Sequence, residues 1–553
     1  MALTYHIETS ENEVAFPKLE ELEEKFKQLK DGDNFIITET GFNYGINFLA
    51  TLKLWQDNVF SNAQLCYTCF AKNPPNRDKL SKILSRFPQL TLQNSELLNQ
   101  YFLPLPATHR LHFKPNVLLN LVVGAVSKIK TNSRPTPWFS KYNNSNFSKK
   151  VIIIGGGLSG ASTAYSLAKR GYCVTLYEKN SALALEASGN EQGILYGSFS
   201  GNYTPVLELS FSGYRYSYYL ITNLLALGNA YQNCGLIQLA HNERHLKQQE
   251  LILHSHLPDD FCYKVNQKQM SEIANTRVLC DSGLFFPYGL WVSPQHLVQK
   301  MVDYPNIQTQ LNQPISDITQ DADGMWLIKD TNNKIIDTAF NLVLCNAHAV
   351  TKFPALKHLA LRTIRGQTSL INTPSPLKTV ICGNGYITPN KNNQYYTIGA
   401  SFKFSKDTGV KIEEHLENIN NLQYILPDIL NNIDTQKIGG KVGFRTSTTD
   451  YLPLVGPIAD YAKFNQTYQD LHKDANFWIE TPCPYLKGLF INVAHGAKGI
   501  LTAPICGEII ADYIDNTPIV ASESLRQALH PNRFYKKNLS VAENHSTTNL
   551  MEQ

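Results

Sequence analysis

Apolar and polar positions along this chain fall into repeated strand-then-helix rhythms. Val151-Ile152-Ile153-Ile154 is an unbroken β-branched run, the pattern of a strand covered on both faces. Glycines fill 155–157, and Ala161 to Arg170 then reads as a helix. Cys173-Val174-Thr175-Leu176-Tyr177 predicts a second buried strand. Further on, Met325 to Lys329 and Lys334 to Thr338 flank Asp330-Thr331-Asn332-Asn333 and predict a hairpin. Leu342 to Ala347 is an apolar strand closing on small residues. Gly488 to Ala494 predicts another strand, passing through His495-Gly496-Ala497-Lys498-Gly499 into a helical Ala503 to Ile514. Near the start, Phe35 to Leu49 leads into a glycine-bearing loop of its own. Together these alternations predict an α/β protein.

Length divides the picture. A chain of 553 residues exceeds a single core and predicts two or three domains. Residues 1–125 form a first region. Residues 126–149, rich in Ser, Asn, Pro and Lys, predict a linker. From 150 to 535 strands and helices continue without a low-complexity break, and 536–553 predict a polar, frayed tail. Hydrophobic content of 43% with 17% charged residues is that of an ordinary soluble protein. The net charge of +4 permits a nucleic-acid partner without requiring one. Met1 to Val14 carries three glutamates and no basic stretch, so no signal peptide is expected. No apolar run approaches the roughly 18–20 residues that span a bilayer, so a cytoplasmic protein without a membrane partner is expected. The ten cysteines are scattered. The pair Cys66 and Cys69 has no second ligand pair nearby, so no metal is expected.

The glycine run carries chemistry. Gly155, Gly157 and Gly160 fit G-x-G-x-x-G: one for the turn, one for approach to a pyrophosphate, one for helix-on-strand packing. Leu158 and Ser159 open a helix whose N-terminus offers free N–H groups to phosphate. Glu178, eighteen residues past Gly160 at the end of the next strand, stands where a carboxylate meets ribose hydroxyls. A glycine turn without a cofactor is the competing reading, and the acid in register favours a dinucleotide.

Val151 to Glu178, followed by Ala187-Ser188-Gly189-Asn190-Glu191-Gln192-Gly193, resembles the FAD domain of glycine oxidase and D-amino-acid oxidase relatives. More narrowly, the chain is similar to the bifunctional tRNA 5-methylaminomethyl-2-thiouridine biosynthesis family. The matching segments are Cys234 to Leu239, Trp291 to Pro294, Gly385 to Pro389, Ile398 to Ser401, Gly443-Phe444-Arg445, Asp450 to Gly456 and Pro531-Asn532-Arg533. The resemblance implies a Rossmann-like FAD domain interleaved with an antiparallel-sheet substrate domain, preceded by a truncated methyltransferase-like α/β remnant. It implies non-covalent FAD, held by the glycine turn, Glu178, Lys179, Ser188, Gly189, Asn190, Gln192, Gly193, Asn346, Ala347, Gly496, Lys498 and Gly499. Where relatives have Gly-Ser-Arg-Gly, this chain has Gly496-Ala497-Lys498-Gly499, which keeps the charge and loses the guanidinium fork.

The implied reaction removes the carboxymethyl arm of 5-carboxymethylaminomethyl-(2-thio)uridine at the tRNA wobble position as glyoxylate, leaving 5-aminomethyl-(2-thio)uridine. A secondary amine releases hydride from the adjacent CH₂ to the flavin, and the imine hydrolyses. Arg445 matches the arginine that clamps the substrate carboxylate, against a surface ion pair as its other role. Tyr386 matches a substrate-site tyrosine, against simple packing beside the flavin. His495, alone beside a glycine turn, reads as structural.

Phe35 to Leu49 resembles the family's S-adenosylmethionine loop, E-x-G-x-G-x-G, with Asn43 at the middle glycine. The acid expected after the following strand falls at Ala71, and a later Asp-Gly-Phe-Ala-Pro signature is missing. No S-adenosylmethionine binding or methyl transfer is therefore expected, and a separate methyltransferase would complete the modification. Partial parallel sheets leave edges, so this region is expected to pack on the flavoprotein or to help hold tRNA. Two other readings stay open: a small-molecule amine oxidase of the glycine oxidase type, and a non-catalytic tRNA-binding flavoprotein. The cluster Arg533, Lys536 and Lys537 leans toward tRNA.

Overall fold

A computed structural model describes residues 2–7, 19–114, 116–124, 136–146, 148–255, 257–258, 260–373, 376–390, 395–431, 433–474 and 477–540. The β-branched run forms Lys150–Ile154, whose apolar residues are all buried. It lies at the middle of a six-stranded sheet ordered Ile307–Gln310, Cys173–Tyr177, Lys150–Ile154, Asn341–Leu344, Tyr485–Val493 and Leu454–Ala459. The first five strands are parallel and the last antiparallel. Such burial on both faces explains the unbroken apolar sequence. One face is covered by the helices Leu158–Ala168 and Gly499–Asp515, which cross so closely that a Cβ on Gly507 would stand 2.8 Å from Ser162 backbone. The predicted hairpin forms Trp326–Lys329 and Ile335–Ala339, joined by Asp317–Gln320 into a small antiparallel sheet.

A second, eight-stranded sheet runs Tyr263–Asn266, Ser282–Phe286, Leu236–Leu239, Val380–Cys382, Tyr386–Ile387, Tyr396–Gly399, Arg362–Ile371 and Gly439–Ser447. All its neighbours are antiparallel except Leu236–Leu239 with Val380–Cys382. The helix Ile412–Gln423 covers one face, anchored where Arg365 meets Glu414 and Asn418 donates to the Gln367 carbonyl. The strands of the two sheets alternate along the chain, as interleaved subdomains require.

The front region forms its own sheet, ordered Ala2–Ile7, Asn34–Glu39, Gln64–Ala71, Val117–Val123 and Thr108–Phe113. Four strands are parallel, and the last turns back antiparallel. It has a separate core that includes Phe26, Trp55 and Tyr67. Cys66 and Cys69, three apart on one strand, point to opposite faces as buried thiols. The edge strand Thr108–Phe113 is covered by the long helix Gly499–Asp515 of the larger region. Arg110, with a wholly buried side chain, meets Asp512 at 2.8 Å and Glu508 at 3.3 Å on the long helix. Arg170 meets the same two carboxylates at 2.9 and 2.8 Å, and Tyr216 donates to Glu508 at 2.8 Å.

Two predictions of loose chain need correction. Of the predicted linker, residues 126–135 and 147 lie outside the described residues. The rest is a packed strap: Trp138, Tyr142 and Asn144 are buried, and Asn144 donates to the Ile514 carbonyl at 2.8 Å. Of the predicted polar tail, 536–540 continue the helix Asn532–Ser540, which buries Tyr535 and Leu539, while 541–553 lie outside the described residues.

Candidate active site

Close backbone approach builds the glycine loop. Gly155 takes φ +112°, and a Cβ there would stand 2.6 Å from the Cys345 carbonyl oxygen. A Cβ on Gly160 would run into the Gly155 carbonyl, the helix-on-strand packing that the motif demands. The helix opens at Leu158, whose N–H donates to the Ser188 hydroxyl at 3.0 Å. Glu178 accepts the Gly156 N–H at 2.8 Å, and its other oxygen accepts from the Asn180 backbone and side-chain amides at 2.9 and 2.8 Å.

A cavity of about 420 Å³ opens between this loop and the eight-stranded sheet, a volume in the range of small-ligand pockets. Gly155, Gly157, Leu158, Ser159, Glu178, Lys179, Ser188, Asn190, Gly193, Asn346, Ala347, Gly496 and Gly499 line it, together with Tyr386 and Arg445. Four predicted contacts stand outside its wall. Gly160 lies beneath the loop. Gln192 accepts the Thr388 and Thr397 hydroxyls at 2.9 and 2.8 Å and donates to the Pro389 carbonyl at 3.0 Å, so its amide is spent holding the sheet. Gly189 makes room for the Lys441 side chain, and Lys498 turns away to the Ser198 hydroxyl.

The part of the wall that bears Arg445 and Tyr386 comes from two strands. Arg445 lies on Gly439–Ser447 opposite Ile364, and Tyr386 lies opposite Gly399. The Arg445 guanidinium rests over Gly366, where a Cβ would stand 2.5 Å from Nη2, and the Tyr386 ring rests 3.0 Å from the Cβ position of Gly399. Among the described residues Arg445 has no ion-pair or hydrogen-bond partner. Burial pushes its pKa below the usual value, with Tyr386 opposing. Burial pushes Tyr386 up to about 12, so the phenol is a neutral O–H donor. His495 also reaches the wall, but both ring nitrogens are engaged, with Thr502 at 2.8 Å and Asn492 at 3.0 Å. Burial pushes it down to about 3.

Sequence reasoning missed Pro294, Gln313, Pro314, His348, Lys352 and Phe353 on the wall. Gln313 donates its N–H to the Glu178 carbonyl at 2.9 Å, just past Ile307–Gln310. That edge strand is polar, Ile-Gln-Thr-Gln, and gives no buried-strand signal. In the opposite direction, Arg533 is not a free basic group: it grips Asp450 at 2.8 and 3.0 Å.

The cradle suits a dinucleotide. Its glycines leave no room for side chains, Glu178 presents a buried carboxylate, and the buried Asn346 Oδ1 on the wall has no hydrogen-bond partner. The front loop differs. Asn43 and Tyr44 take φ +43° and +55°, the Asn43 side chain is buried with neither polar atom bonded, and Phe42 stacks on Tyr101 at 5.9 Å. Glu39 already accepts Asn47 and Tyr67, each at 2.7 Å.

Comparison with known proteins agrees with the cradle. The family described as FAD dependent oxidoreductase matches residues 150–513, and the chain belongs to that class of flavoprotein. Glycine oxidase from Bacillus cereus ATCC 14579 shares the fold at TM-score 0.54 and 23% identity, over 67% of this chain and 98% of that one. L-proline dehydrogenase from P. horikoshii does so at 0.55 and 15%, over 70% and 98%. The tRNA 5-methylaminomethyl-2-thiouridine biosynthesis bifunctional protein MnmC of Chromobacterium violaceum is 31% identical over 95% of this chain and 93% of its own length. That of Pseudomonas fluorescens (strain Pf-5) is 30% identical over 94% and 92%. Within the flavoproteins, the chain belongs to the MnmC family.

Proposed function

We propose that this protein oxidises the secondary amine of 5-carboxymethylaminomethyl-(2-thio)uridine at the wobble position of tRNA, in the cytoplasm, releasing glyoxylate and leaving 5-aminomethyl-(2-thio)uridine. Arg445 carries this reading: a half-buried guanidinium on the cavity wall without a carboxylate partner among the described residues. The carboxymethyl arm ends in the planar, bidentate anion that such a fork matches. Tyr386 adds a neutral O–H beside it. With the carboxylate fixed, the adjacent methylene and amine are held at a set reach from Arg445, and orientation is the protein's main task. FAD, bound non-covalently along Gly155 to Gly160, Glu178, Asn346 and Gly496, would supply the two-electron oxidation of that methylene. The relatives' names, which speak of tRNA 5-methylaminomethyl-2-thiouridine biosynthesis, support tRNA as the carrier of that arm.

The methyl-transfer step is absent on the same reading. The Asn43 side chain fills the loop where a glycine would admit a ligand, and Ala71 offers no acceptor to a ribose. The match to the Chromobacterium relative spans 616 positions against 553 residues here, so that relative holds segments with no counterpart in this chain. A separate methyltransferase would complete the modification.

Incubating the protein with tRNA bearing the carboxymethylaminomethyl group, with and without S-adenosylmethionine, tests both parts by nucleoside mass spectrometry. The aminomethyl product is expected in each case, with no methylaminomethyl product. An unchanged nucleoside would overturn the oxidation. A methylated one, or micromolar S-adenosylmethionine binding by calorimetry, would overturn the loss. Peroxide release from free glycine or sarcosine without tRNA would favour a small-molecule oxidase instead.

A further inference from the structure

The sheet that supplies Arg445 and Tyr386 also carries two exposed phenylalanines. After Tyr396–Gly399 the chain runs on beside Arg362–Ile371, where Lys403 and Arg365 exchange backbone hydrogen bonds of 3.0 and 2.8 Å. Opposed residues of an antiparallel pair share a face, and neighbours along a strand alternate. Arg365 points to the side covered by Ile412–Gln423, and Lys403 meets Glu417 of that same helix at 2.9 Å. Phe402 and Phe404 therefore stand on the other face, shared by Ile364, its partner Arg445, and Gly366. The Ser401 carbonyl lies 3.1 Å from the Cβ position of Gly366, beside the Arg445 guanidinium. Arg445 is two strand spacings away, about 10 Å.

Phe402 is 47% and Phe404 68% exposed, with ring centroids 5.5 Å apart at 89°. Paired bare rings on a soluble surface mark a contact site. Unpaired positive charge lies close by. Lys406 follows two residues on, Lys352 stands on the cavity wall, and neither has an ion-pair partner among the described residues. Both act, with Lys179, on His348 of the same wall, though Lys179 is itself paired with Glu186 at 2.8 Å. Planar rings next to unpaired lysines are what single-stranded RNA surfaces use: bases stack, phosphates take the cations. A free small amine would need neither.

Resting on the tRNA reading above, we propose that Phe402 and Phe404 form a stacking platform for the bases flanking the oxidised uridine, with Lys352 and Lys406 holding the neighbouring phosphates. The test uses the intact flavoprotein and a synthetic anticodon stem-loop bearing the carboxymethylaminomethyl group, read by fluorescence anisotropy and by turnover. The double variant F402L/F404L keeps apolar bulk and removes the π faces. It should weaken stem-loop binding roughly tenfold or more, with KM rising in step, whereas F402Y/F404Y stays within about threefold of wild type. K352Q/K406Q should reduce the slope of log affinity against log salt by about 0.7 per lysine. Visible flavin absorbance reports that each variant is folded. Stem-loop oxidation with equal binding by wild type and F402L/F404L would overturn the platform and leave the proposed reaction standing. Ring-dependent binding without oxidation would do the reverse. Ring-dependent self-association in sedimentation, with RNA binding unaffected, would also overturn it, by assigning the rings to a second copy of the chain.

Discussion

Arg445 and Tyr386 owe their positions to two residues that have no side chain. Gly366 leaves the space that the guanidinium fills, and Gly399 the space under the phenol ring. Replacing Arg445 with Met should lower kcat/KM on modified tRNA by about 100-fold, with Arg445→Lys between it and wild type, since the ammonium keeps charge but not the fork. Gly366→Ala tests the support. Its Cβ would stand 2.5 Å from Nη2, the free end of a flexible side chain, so the guanidinium should move and the sheet remain. A KM raised on the order of 10- to 100-fold with an unchanged Tm is expected, and a variant that unfolds or keeps wild-type KM would contradict this. That Arg445 and Tyr386 would share one cavity wall was legible because each sits in a recognisable local motif. Gly366 and Gly399 were not, because their roles depend on cross-strand register, which no local window of sequence contains. Gln192, expected at the cofactor from the motif around it, stands off the cavity wall with its amide bonded to Thr388, Thr397 and the Pro389 carbonyl.

At the scale of elements, strands buried on both faces announced themselves, and polar segments misled. Four strands of the six-stranded sheet were legible in Val151 to Ile154, Cys173 to Tyr177, Leu342 to Leu344 and Gly488 to Val493, because short, mostly apolar runs bounded by turn residues predict buried strands. The strap at 136–146 and 148–149 is part of the stretch 126–149 that its Ser, Asn, Pro and Lys content predicts as a linker. Those same side chains satisfy buried backbone: Ser140 accepts the Cys483 N–H at 2.9 Å, and Asn144 bonds the end of the long helix. Composition cannot distinguish an amide that bonds water from one that bonds protein. The glycine loop is the element most sensitive to a single methyl group. Gly160→Ala would press a Cβ into the Gly155 carbonyl, parting helix from strand. The purified variant should lose most of its visible flavin absorbance, and full retention would count against this loop as the cofactor's cradle.

The whole molecule is joined by buried charge. Arg110 and Arg170 balance Glu508 and Asp512 with almost no solvent contact. Burial opposes ionisation of Glu508, but His112, Arg170 and Arg110 together hold its pKa well below the usual carboxylate range. Removing one partner of such a set costs about 3–5 kcal/mol, so Arg110→Ala should lower Tm markedly in thermal unfolding. A change within error would mean that water relaxes the site. Acid should loosen the same joint. Burial pushes His112 down to about 4 and His109 to about 3, against 6.5 in an open chain. Unfolded chain thus binds more protons, so this stability is fully present above about pH 6.5 and is lost as pH falls toward 4. At about 1.4 kcal/mol per pK unit, a steep fall of Tm across that window is expected, shallower in His112→Gln.

This joint bears on how such a chain can change over time. On the reading proposed above the front unit does no methyl transfer, yet its strand Thr108–Phe113 brings Arg110, one of the two guanidinium groups that flank Glu508 and Asp512. A gene shortened to begin at residue 150 would encode a chain whose long helix opens this face to water, with Arg170 left as the guanidinium beside Glu508 and Asp512. Loss of chemistry in such a unit would not by itself release it, because it would still serve as a counter-ion for its neighbour.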